Sequence, residues 1–74
     1  MMKKEEMLEF IEENVNSLSC NNFKILWNSC FSEERLENID ENQKNDLADL
    51  LLEEVSYFEN GKIFKVYNFI ENRT

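Results

Sequence analysis

Seventy-four residues suffice for one domain with one small core, and the chain, 1–74, is expected to form that single domain. Sixteen acids against eight bases, no histidine, no proline, one glycine and two cysteines leave a net charge of −8. That charge repels a phosphate backbone, and the chain lacks an imidazole base, a glycine-rich phosphate loop and the four ligands of a structural zinc site.

Residues 3–19 are predicted as a first helix, with Met7, Leu8, Ile11, Val15 and Leu18 at helical spacing on one face. Glu5, Glu9 and Glu12, with Glu6 and Glu13 beside them, fall on the opposite face. Like charges at i and i+4 stand about 6 Å apart and repel by a few tenths of a kcal/mol per pair. No base lies between Glu5 and Phe23 to relieve that strip. Lys3 and Lys4 imitate the start of a signal peptide, but acids occupy the place of its apolar core, so a leader is not expected.

Ser19, Asn21 and Asn22 are N-cap candidates for a second helix reaching about Phe31. Phe23, Leu26, Trp27 and Cys30 recur at i, i+3, i+4 and i+7, a core-facing stripe that makes Trp27 a core residue before it is an interface anchor. Cys20 and Cys30 would stand about 15 Å apart on one helix, beyond disulfide reach. Both are expected to be reduced, Cys30 within the core, in an intracellular (cytoplasmic) protein. Ser32 is expected to cap a short helix through Ile39, with Leu36 and Ile39 turned inward and Glu33, Glu34 and Glu37 facing out.

The longest helix is predicted over residues 40–60. Asp40 and Gln43 have the spacing of a capping box. Leu50, Leu47, Phe58, Leu51, Val55, Ala48 and Leu52 sweep about 200° of its surface, enough to pack against two neighbours. Asp46, Asp49 and Glu53 lie opposite. Glu54 falls inside the apolar arc, where it is either an inward carboxylate of raised pKa or a side chain that reaches water or pairs with Lys62 or Lys65.

Two endings compete. Gly61 can be the left-handed residue that stops the long helix before a last one carrying Ile63, Val66, Tyr67 and Ile70. Alternatively, Asn60-Gly61 is a hairpin turn pairing Glu59 with Lys62, Tyr57 with Phe64 and Val55 with Val66. The helical ending is preferred because Phe58 continues the repeat of Leu47, Leu51 and Val55. The fold class expected is therefore mainly α, a small four- to five-helix bundle-like domain. The alternative is α+β with a C-terminal β-hairpin around Asn60-Gly61.

Uninterrupted apolar runs reach three residues, as at 50–52, too short for a membrane span. Asp40-Glu41-Asn42 does not continue as a calcium-binding loop. Paired carboxylates lie on outward faces where no dry pocket tunes them, so no catalytic, cofactor or metal site is expected, and the chain is not expected to be an enzyme. The expected partner-binding residues are Glu5, Glu9, Glu12, Glu13, Asp46, Asp49 and Glu53. They would press against the basic surface of a nuclease or other nucleic-acid-binding protein, with no direct nucleic acid and no membrane involved. In size, charge and helicity the chain resembles compact acidic inhibitors carried by phages and mobile elements, including those directed at nucleases and CRISPR effectors, and immunity proteins against toxic nucleases. A second expectation is a structural or regulatory homodimer held by Phe10, Phe31, Phe64, Tyr67 and Phe69, its acids serving only solubility.

Overall fold

The computed structural model describes residues 2–73. Four helices follow one another: α1 (Lys4–Asn14) with a 3-10 turn over Val15–Ser17, α2 (Cys20–Cys30), α3 (Glu41–Val55) and α4 (Asn60–Glu71). No strand occurs among the described residues, so the helical bundle is the fold and the hairpin ending is ruled out. None of the helices is long and apolar enough to cross a membrane.

Each helix buries one stripe of its surface. Met7, Ile11, Val15 and Leu18 from the first segment meet Phe23, Leu26 and Trp27 of α2, Ala48, Leu51 and Val55 of α3, and Ile63, Val66 and Ile70 of α4 in one core. Burial of side chains this size contributes about 1.5–3 kcal/mol apiece. The closest helix pair is α1 with α4, and the edge of Phe10 meets Tyr67 there at 4.8 Å between ring centres. That pairing explains why the C-terminal segment is helical despite its β-branched and aromatic content. Ile63, Val66 and Ile70 meet the buried apolar stripe of α1 only at helical spacing.

The helix starts follow local signals. The Ser19 hydroxyl accepts from the Asn22 N–H at 3.1 Å. Asp40 accepts from the Gln43 N–H at 2.8 Å while the Gln43 side chain accepts from the Asp40 N–H at 3.0 Å, the reciprocal capping box.

Three expected elements differ. The helix expected from Ser32 to Ile39 is irregular chain, because α2 holds its backbone with side chains. The Trp27 indole N–H donates to the Glu34 carbonyl at 2.8 Å, and Asn28 both donates to the Leu36 carbonyl at 3.1 Å and accepts from its N–H at 2.7 Å. The Leu36 N–H, so engaged, is not free for the i→i−4 bond to Ser32 that would close the first turn of the expected helix.

The long helix stops at Val55 rather than reaching Asn60. Tyr57 and Phe58 N–H groups bond three residues back, to Glu54 and Val55, and Glu59 is extended before α4 begins. Gly61 is accordingly the second residue of α4, and no described residue has a positive φ. The first helix, expected to Ser19, narrows to its 3-10 turn after Asn14, whose side chain donates to the Phe10 carbonyl at 2.8 Å.

A candidate protein-binding acidic surface

The inward stripes dictate where the acids go. With Met7 and Ile11 buried, Glu5, Glu9, Glu12 and Glu13 stand exposed along the outer side of α1. With Ala48, Leu51 and Val55 buried, Asp46, Asp49 and Glu53 stand exposed along the outer side of α3. All seven expected partner-binding residues are thus at the surface. Helical spacing brings neighbours together within each row, Glu5 with Glu9 and Asp49 with Glu53 among them. No hydrogen bond or ion pair joins one row to the other among the described residues.

The bases do not neutralise these rows, because several are used elsewhere. The ammonium of Lys44, a residue only 3% exposed, donates to the carbonyls of Leu18 at 2.7 Å and Asn16 at 3.1 Å. It thereby closes the C-terminal end of the first helical segment, where orphan carbonyls and the helix dipole both favour a cation. The Glu41 carboxylate, 3.0 Å away, completes the only ion pair among the described residues. Lys62 stands 4.0 Å above the Phe58 ring and donates to the Cys30 carbonyl at the end of α2, at 3.4 Å. Arg73 lies 3.6 Å over Phe69 and donates to the Phe69 carbonyl near the end of α4. Three helix C-termini therefore hold cations from outside their own last turns, and the carboxylates are left unmatched.

Two side chains on α3 exchange the places expected of them. Leu50, expected in the apolar arc, is 43% exposed, and Glu54 beside it is exposed too. The buried stripe is centred on Leu51, Lys44, Val55 and Ala48, a rotation that puts Leu50 and Glu54 past its edge. The inward-carboxylate reading of Glu54 falls, as does its pairing with Lys62 or Lys65, and the side chain reaches water. Lys44 was the missed core residue. Its signal was angular, since it falls between Leu51 and Val55 on the helical wheel, but its charge argued for the surface.

Both cysteines are free, at the first and last positions of α2. Cys30 is half-buried against the core rather than inside it. Burial pushes its thiol pKa up, with the Ser29 hydrogen bond and Lys62 acting against that rise. Partial burial and the Glu41 carboxylate, which accepts from the Cys20 Sγ at 3.7 Å, push the Cys20 thiol up as well. Both stay protonated near neutral pH and are weak nucleophiles. The Tyr67 hydroxyl donates to the Glu71 carboxylate, a bond that raises its pKa.

Two open clefts flank the start of α4. One, of about 650 Å³, runs between Cys30, Lys62 and Lys65; the other, of about 610 Å³, lies between Met2, Met7 and Phe64. Neither is lined by any of the seven carboxylates, which stand exposed on the outer sides of α1 and α3. Among the described residues no three His, Cys, Asp or Glu side chains gather where a metal ion could be held. An exposed row of carboxylates suits contact with another macromolecule better than enclosure of a small substrate. No protein-family model, curated protein or solved structure matches the chain.

Proposed function

We propose that this chain is a small acidic protein-binding inhibitor, which covers a basic, nucleic-acid-binding surface of another protein and catalyses nothing itself. The observation that carries the reading is the state of the carboxylates. Of sixteen acids, Glu41 alone has an ion-pair partner among the described residues, while Glu5, Glu9, Glu12, Glu13, Asp46, Asp49 and Glu53 face solvent on helices. Regularly spaced negative charge on a stiff scaffold imitates the field of a phosphate backbone, and steers a basic partner into fast, salt-sensitive association. An inhibitor of a nuclease or of a nucleic-acid-guided effector, or an immunity protein for a nuclease toxin, would work in this way. The aromatic homodimer is disfavoured by packing, because Phe10, Phe31, Tyr67 and Phe69 are half-covered by the core and only Phe64, 54% exposed, stands out.

The test is capture of partners from a lysate by the immobilised chain, with nucleic-acid competition. Basic nucleic-acid-binding proteins should be retained at about 50 mM salt, held far more weakly at about 200 mM, and displaced by duplex DNA or by RNA. Charge reversal at Glu5, Glu9 and Glu12, or at Asp46, Asp49 and Glu53, should abolish retention for whichever row makes the contact. Retention indifferent to salt and to both reversals would remove the charge-mimic reading.

A further inference from the structure

The two acidic rows differ in what stands among the acids. On α1 the large apolar neighbours Leu8 and Phe10 are drawn half into the core. On α3, Leu50 is 43% exposed, and Tyr57, seven residues on in the turn that follows, is 81% exposed. Asp46 and Glu54 lie one helical turn to either side of Leu50, and Glu53 one turn on in the same direction as Glu54. All three, with Asp49, are exposed and have no ion-pair partner among the described residues. Ser56 after the end of α3 keeps right-handed helical dihedrals, φ −61° and ψ −21°, so the chain carries Tyr57 about two turns beyond Leu50. Among the described residues both side chains stand open to solvent.

We propose that the α3 face is the docking surface, with Leu50 and Tyr57 as its anchors, and that its occupant is a cationic amphipathic segment of a partner protein. This inference rests on the acidic-surface reading above. Charge complementarity selects the occupant: Asp46, Asp49, Glu53 and Glu54 demand Lys or Arg around the contact, while Leu50 and Tyr57 demand apolar surface at its centre. A second copy docking by the same face would set eight carboxylates against one another around the contact, which excludes symmetric self-association there. A bare polycation would satisfy the acids and leave the anchors wet. The apolar centre should therefore hold the partner after salt has screened the charges.

Two probes separate these contributions: a designed helical peptide with lysines on one side and leucines on the other, and decalysine. Binding is followed by amide chemical shifts at 50 and 200 mM salt. Both probes should perturb residues 46–57 at the lower salt, and only the amphipathic peptide should still bind at the higher. Leu50→Ser and Tyr57→Ser, both solvent-facing and expected to keep the melting temperature, should each weaken the amphipathic peptide about tenfold and leave decalysine unchanged. Shifts centred on α1 with no effect of either substitution would overturn the α3 assignment while leaving the acidic-surface reading in place. Failure of both probes to bind at 50 mM would overturn both. A concentration-dependent dimer that Leu50→Ser dissolves would replace the partner with a second copy and overturn the proposal.

Discussion

A lysine ammonium has three protons to donate, and Lys44 places them on the carbonyls of Asn16 and Leu18 and on the Glu41 carboxylate. Buried acceptors stripped of their donor cost about 1–3 kcal/mol each, whereas an exposed base with no partner costs almost nothing to remove. Lys44→Met keeps the aliphatic stem and deletes the ammonium, so unfolding in urea should show a loss of about 2–3 kcal/mol. Lys65→Met, at an exposed position with no hydrogen bond among the described residues, should fall within about 0.5 kcal/mol of the parent. Equal effects from the two would mean that Lys44 is solvated in solution. On the helical wheel Lys44 falls between Leu51 and Val55, an angular signal that its charge overrides. What the sequence does not display is that a helix end, together with Glu41, receives the charge. Leu50 misleads in the opposite sense, because an apolar residue at the edge of a wide arc is assigned to the core until the neighbours that would cover it are known.

Among the elements, those defined by local chemistry were legible. The Ser19 cap, the Asp40–Gln43 box and the stripes of α1 and α2 all depend on residues three to seven apart, which a sequence displays directly. The run from Ser32 to Ile39 was not legible, because its conformation is imposed from α2 by Trp27 and Asn28. A helix that short is marginal by itself, so two side-chain clamps are enough to hold the chain in another course. Asn28→Ala removes both bonds to the Leu36 backbone and should free the exposed segment around Arg35. Losing about 1.4 kcal/mol of local protection raises the open population tenfold, so tryptic cleavage after Arg35 should accelerate about that much or more while α1 and α4 stay intact. Unchanged cleavage would show that Trp27 alone holds the segment. The Gly61 position failed for a related reason. An Asn-Gly pair advertises a turn, but the chain turns over residues 56–59 and uses Gly61 inside the first turn of α4.

At the scale of the molecule, charge is the one property with consequences for both stability and association, and the two respond to salt in opposite directions. Eight bases face sixteen acids, and Lys44, Lys62 and Arg73 are engaged at helix ends rather than along the acidic rows. Glu9 alone repels Glu5, Glu6, Glu12 and Glu13 at helical spacings of three or four, and Asp49 repels Asp46 and Glu53. Screening six such pairs should recover about 1 kcal/mol, which for a domain of this size raises the melting temperature by about 4–8 °C. Scanning calorimetry from about 10 to 300 mM sodium chloride should therefore show a rising melting temperature over the same interval in which the attraction for a basic partner weakens. A melting temperature that fell with salt would require stabilising surface ion pairs, and only the Glu41–Lys44 contact is present among the described residues. Unrelieved repulsion within the free protein is also what a cationic partner would remove on binding. Complex formation should then raise the melting temperature most at low salt, where the free protein is weakest and the attraction strongest.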